Sequence, residues 1–174
     1  FPYTTLFRSN ISISGAGIHG STISTYEISG SYSAKSSSLS IEKLYQPGTN
    51  TFIGTITDSR GRKASASASI TVLDYTPPTV SLKVERCNAD GTPNTEGTYV
   101  KATAVYSITS LNGKNSIKSK KIQIQSYTNT AFTSGSAVVM GGALSPDLSY
   151  IATITVEDAL GKKAETQTTV PTGA

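Results

Sequence analysis

The chain has 174 residues, 36% of them hydrophobic and 15% charged, with a formal net charge of +4; this allows one or two domains with thin cores. Its charge is scattered, and the densest run, Lys118-Ser119-Lys120-Lys121, stands at the foot of an alternating segment, so there is no basic stripe for nucleic acid and no run of about 18 apolar residues to cross a membrane. Thr, Tyr, Ile and Val favour a pleated, half-buried surface, while the strong helix formers Leu, Glu and Met are scarce, so the composition predicts an all-β fold.

Residues 1–9, Phe1-Pro-Tyr-Thr-Thr-Leu-Phe-Arg-Ser9, share no pattern with the rest of the chain. Over their whole length they resemble the translation of a common short-read sequencing adapter. The resemblance implies a scar that is set aside from fold reasoning, with the natural reading frame cut at Asn10.

From Asn10 the chain passes through a Gly-rich turn, Gly15-Ala-Gly17-Ile-His19-Gly20, to a strand beginning at Ile23. His19 is the only histidine. Alone in a loop, and with no Gly-x-Ser-x-Gly elbow in the chain, it does not make a Ser-His-Asp site. Leu44-Tyr-Gln-Pro47 leads to Phe52, Gly54 and Ile56, which alternate with polar residues, and period two marks a strand with one buried face. Asp58-Ser-Arg-Gly61-Arg-Lys63-Ala64 comes next and predicts a hairpin: Asp58 to bond backbone N–H groups, Gly61 to supply positive φ. Ala64, Ala66, Ala68, Ile70 and Val72 then alternate as the return strand. Asp74-Tyr-Thr-Pro77-Pro78 reads as a stiff linker.

The second half begins with Val80-Leu82-Val84. Cys87, the single cysteine, excludes an intrachain disulfide and a multi-thiol metal site. A turn-rich stretch over 88–94 leads to a strand over Tyr99–Ile108, and Asn112-Gly113 turns the chain. Strands are expected over Ile117–Tyr127, Ala137–Met140, Tyr150–Glu157 and Lys163–Val170, with a short piece near Phe132. In Tyr150–Val156 the even-numbered residues are expected inside. Leu144-Ser-Pro146-Asp-Leu-Ser-Tyr150 resembles the tyrosine corner of fibronectin type III domains, in which the tyrosine hydroxyl is tied to backbone a few residues upstream. Leu44 to Phe52 is a looser version with Phe in place of Tyr.

An internal repeat organises these elements. Asp58-x-x-Gly61-Arg-Lys63-Ala64 matches Asp158-x-x-Gly161-Lys-Lys163-Ala164 at an offset of 100 residues, and Ile23–Ile28 parallels Ile117–Ile122 at an offset of 94. The fold class predicted is therefore two tandem immunoglobulin-like or fibronectin III-like β-sandwiches. Residues 10–75 form the first, 76–78 the proline linker and 79–174 the second. Only Asn10–Ile18 precede Ile23, where the second copy has Thr79–Ile108, so the first copy is expected to be truncated at its N-terminus.

No constellation for chemistry accompanies this pattern. Acids such as Asp58, Asp90, Asp147 and Asp158 fall at turns, where backbone bonding accounts for them. Glycoside hydrolysis needs a carboxylate pair and calcium needs several clustered oxygens. Asp74 near the linker, with Asp58 or Asp158, is the one combination that leaves a calcium ion at the junction open. The chain is read as non-enzymatic, without cofactor, and without nucleic-acid or membrane partners.

Thr57-Asp-Ser-Arg-Gly-Arg62 followed by Val72-Leu-Asp-Tyr75-Thr-Pro-Pro78 resembles a repeat in tail proteins of siphoviruses of Gram-positive hosts, a minor structural protein family. Arg86-Cys-Asn-Ala-Asp90-Gly91, Glu96-Gly97-Thr-Tyr99-Val100 and Asp158-x-x-Gly161 fit the same family. The second copy departs from it in having Ala159-Leu160 where the first has Ser59-Arg60. The resemblance implies a virion component of the tail tip or fibre whose modules space and attach other tail proteins, its partners, or serve host adhesion, with host cell-surface polysaccharide as the contact in that case. A bacterial cell-surface adhesin or stalk, and an accessory binding domain of a secreted hydrolase, remain open as alternatives.

Overall fold

The computed structural model of the chain describes residues 9–42 and 46–173. Positions 1–8, and with them almost all of the adapter-like segment, lie outside the described residues, as do Leu44 and Tyr45 of the looser corner. Twelve strands are present in the described residues, and they divide into two compact units between Asp74 and Tyr75. This division falls one residue before the boundary drawn from the sequence. The reason is local: the Tyr75 side chain and Thr76 are both bonded within the second unit.

The first unit contains β1 (Ser9–Ser12), β2 (Ile23–Gly30), β3 (Ser38–Ile41), β4 (Gly48–Asp58) and β5 (Lys63–Val72). β1 pairs with β3, and the other three form a sheet in the order β2-β4-β5. Among its described residues Ile28, Ile41 and Phe52 are buried, with Ile11, Ile13, Tyr32, Leu39 and Val72 packed against them. Tyr32 stacks on Phe52 with ring centroids 6.3 Å apart.

The second unit contains β6 (Thr79–Cys87), β7 (Tyr99–Ser107), β8 (Ile117–Ile124), β9 (Tyr127–Asn129), β10 (Ala137–Gly141), β11 (Tyr150–Asp158) and β12 (Lys163–Val170). Two antiparallel sheets, ordered β10-β7-β6 and β12-β11-β8-β9, face each other. Val100, Ala102, Ala104 and Met140 from one sheet meet Ile122, Ile124, Ala152, Ile154, Val156 and Val170 from the other in a single core, completed by Phe132 and Leu144. Three strands over four around one core is a β-sandwich of the fibronectin III-like kind. The register of β11 obeys its alternation: Ile154 is fully buried while Ile151 is 53% exposed.

The repeat extends to irregularities. β2 carries one extra residue opposite β4, with Ile23 facing Asp58 and Thr25 facing Thr57. β8 does the same opposite β11, with Ile117 facing Asp158 and Ser119 facing Glu157. Bulges of this kind re-aim a side chain, and here both face the aspartate that opens the hairpin. By the same matching, β1, β2, β3, β4 and β5 answer to β7, β8, β10, β11 and β12, and an isolated bridge between Ile28 and Ala34 stands where β9 pairs with β8.

Three expectations are corrected by the structure. The strand expected over Ile117–Tyr127 ends at Ile124 and reverses over Gln125 and Ser126 into β9, with Gln125 at φ 54°. Phe132 lies outside the strands and fills the core from a loop. The alternation in β5 does not yield a buried face: Ala64, Ala66, Ala68 and Ile70 are all exposed. In the second unit β6 lies beside β12, and no strand of the first unit's described residues holds the equivalent place.

Candidate functional site

In the second unit, the repeat residues Asp158 and Gly161 and the corner residues Leu144, Pro146 and Tyr150 stand at opposite ends, while Asp58 and Gly61 belong to the first unit. At the entry end, Asp158 sits at the close of β11 with no exposed surface. Its Oδ1 accepts the backbone N–H groups of Leu160 and Lys162, both at 3.0 Å. Its Oδ2 accepts the Tyr75 hydroxyl at 2.6 Å and the Asn115 Nδ2 at 3.1 Å. Gly161, at φ 81°, closes the turn with its N–H on the Asp158 carbonyl at 3.0 Å. Thr76 continues the attachment, with its hydroxyl 2.6 Å from that of Thr109.

Asp58 shows the same turn with a different filling. Its Oδ1 accepts the N–H groups of Arg60 and Arg62 at 2.9 Å each, and Gly61, at φ 78°, donates to its carbonyl at 2.9 Å. Its Oδ2 takes the Arg62 guanidinium, Nε at 2.8 Å and Nη2 at 2.7 Å. Position 162 carries lysine instead, and in the second unit a tyrosine from outside the hairpin and Asn115 occupy the second oxygen.

Charge is set by these contacts. Burial raises the Asp58 carboxyl, but the Arg62 and Arg60 donors outweigh it and lower the pKa to about 2. Asp158 is likewise raised by burial and lowered further by Tyr75, the Lys162 N–H, Asn115 and the Leu160 N–H, for a net depression. Tyr75 is pushed up to about 12 by burial and by the carboxylate it bonds. Among the described residues no group of three His, Cys, Asp or Glu could hold a metal ion. Both carboxylates are occupied by donors from their own unit.

At the exit end stands a residue whose role the sequence alone did not disclose. Arg86, the penultimate residue of β6, is only 4% exposed, and among the described residues no carboxylate pairs with it. A guanidinium has five N–H donors and cannot neutralise itself. Here all five meet backbone carbonyls: Nε bonds Pro171 at 2.7 Å, Nη1 bonds Gly97 at 2.9 Å and Leu144 at 3.4 Å, and Nη2 bonds Ser145 at 2.9 Å and Leu148 at 2.7 Å. Carbonyl dipoles thus replace the water that a buried cation loses.

The tyrosine corner builds this cage. The Tyr150 hydroxyl accepts the Ser145 N–H at 2.9 Å, and the Tyr150 ring lies 5.8 Å from the Arg86 guanidinium carbon. Leu144 is buried and donates its N–H to the Thr98 carbonyl at 3.2 Å. The Pro146 carbonyl accepts the Gly173 N–H at 2.7 Å, which ties the chain's exit to the corner. A pocket of about 550 Å³ opens beside the cage, lined by Glu85, Pro93, Asn94 and Pro171 among others, but Arg86 has no donor left to offer it.

The other candidates for chemistry are His19 and Cys87. His19 is exposed at φ 53°, and its carbonyl accepts the Arg60 Nη2 at 2.8 Å. Cys87 is buried, which pushes its thiol pKa up.

No family model matches the chain, and no curated protein matches it. Among solved structures it is similar to the fibronectin(III)-like modules of Clostridium thermocellum CbhA, with 14% sequence identity, 95% of this chain and 85% of that chain covered, and a TM-score of 0.36.

Proposed function

We propose that the chain is a non-enzymatic structural module of a bacteriophage tail, in the tip or a fibre, where it spaces and attaches other tail components. The observation that carries this reading is the placement of entry and exit in the second unit. Tyr75 and Thr76 are held at the Asp158 hairpin, which precedes β12. Pro171 and Gly173 are held at the opposite end, by Arg86 and the tyrosine corner. A module entered at one end and left at the other extends a chain rather than folding it back. The acids of the repeat serve the same purpose, since their oxygens bind turn and linker donors. The tail assignment rests on the Asp58–Arg62 and Val72–Pro78 segments and their resemblance to siphovirus tail repeats.

Antibodies raised against Tyr75–Gly173 should label the tails of particles whose genome encodes this chain when viewed by immunogold electron microscopy. Label on bacterial cell walls, with none on particles, would transfer the chain to the cell-surface stalk reading.

A further inference from the structure

We infer that Arg86 is a tension latch, the group that sets how long the second unit survives when the chain is pulled from its two ends. β6 lies against β12, and both run from the Asp158 end toward the corner end. Tension along the chain draws β6 toward the entry and β12 toward the exit, so the two strands slide past each other lengthwise. Arg86 stands at the trailing end of β6, and its acceptors are the exit residue Pro171, the corner residues Leu144, Ser145 and Leu148, and Gly97.

Three features make this a latch and not one more buried contact. The five donors lie on one rigid plane, so sliding strains them together and not in turn. At 4% exposure the cation must give up its carbonyls before water from the neighbouring pocket can replace them. Four of the five carbonyls also move with the exit: Pro171 belongs to it, and Leu144, Ser145 and Leu148 belong to the corner, whose Pro146 accepts the Gly173 N–H. The Tyr75 clasp lies ahead of β6, so it can open without disturbing the pairing of β6 with β7, and it yields first.

The latch rests on the spacer reading for its purpose, but its measurement does not depend on where the protein resides. The full chain is held by handles at its two ends at constant force, and the lifetime of the second unit is recorded with the first unit as internal reference. Lysine keeps the charge of arginine but has three donors and no plane, so Arg86→Lys loses at least two charge-assisted bonds. Each is worth about a factor of ten, and the lifetime should fall on the order of a hundredfold. A second experiment keeps Arg86 and moves one handle to a Leu160→Cys variant at the exposed hairpin tip, 48% accessible in the native chain. That geometry bypasses the latch, and the unit should open far sooner than under end-to-end load. If Arg86→Lys lowers thermal stability yet leaves the lifetime under force unchanged, or if both handle positions give equal lifetimes, Arg86 is not a latch. Should Arg86→Lys fail to fold, the comparison of handle positions decides alone. Absence of the chain from phage particles would overturn the tail reading and leave the latch standing.

Discussion

The hydroxyl of Tyr75 donates to the carboxylate of Asp158 at 2.6 Å across 83 residues of sequence. This bond makes the linker part of the second unit and fills the oxygen that Arg62 fills on Asp58. Tyr75→Phe removes one donor from a buried, charged acceptor and should destabilise the second unit by about 1.5–3 kcal/mol. Urea unfolding of the full chain, monitored by probes in each unit, should show the second transition shifted and the first unmoved.

The titration of these turns gives a pH dependence with a definite sign. The pKa of Asp58 is about 2 in the folded chain against an ordinary value of 3.8, and that of Asp158 is also depressed. Groups with depressed folded values stabilise above the unfolded pKa, so their contribution is complete above about pH 4 and is lost as pH falls toward 2. Tyr75 moves the other way, from 10.0 to about 12. Its contribution is complete below pH 10 and is lost between about 10 and 12. Thermal melts across these windows should show both losses, and Tyr75→Phe should lack the alkaline one.

At the corner, Tyr150 accepts the Ser145 N–H. Tyr150→Phe leaves that donor without its partner while keeping the ring beside Arg86, and should cost about 0.5–1.5 kcal/mol. Chemical denaturation measures it; an unchanged midpoint would mean that the hydroxyl does not hold the corner.

Burial differs between the units. The core cluster has three buried hydrophobic residues in the described part of the first unit and twelve in the second, and β5 is exposed on both faces where β12 alternates. Local opening is easier where few apolar contacts cover the backbone. Hydrogen exchange on the full chain should therefore find the amides of β4 and β5 faster than their counterparts in β11 and β12. Equal protection would mean that the missing cover has no energetic consequence.

How much could be read from the sequence depends on the range of each interaction. The Asp-x-x-Gly hairpins are local, so Asp58, Gly61, Asp158 and Gly161 announce their turns through residue type alone. The faces of β11 are legible for the same reason, because alternation at Ala152, Ile154 and Val156 is a property of one strand. The turn at Gln125-Ser126 escapes because neither residue is a usual source of positive φ. The exposure of β5 escapes because its pattern reports which residues would share a face, not whether another strand covers it. Arg86 is the clearest case. Its five acceptors are backbone carbonyls lying 11 to 85 positions away, and a carbonyl has no signature in a sequence. Tyr75 reads as linker because its partner is a carboxylate already explained by its own turn.

The chain enters the second unit beside Asp158 and leaves it beside Arg86. Spin labels on Thr76→Cys and Thr172→Cys, in a full chain with Cys87→Ala, measure that separation directly. A nine-residue strand such as β6 spans roughly 30 Å at about 3.3 Å per residue, so a narrow distribution centred near 30 Å is expected. A distribution centred near 10 Å would put entry and exit at the same end and contradict the spacer account.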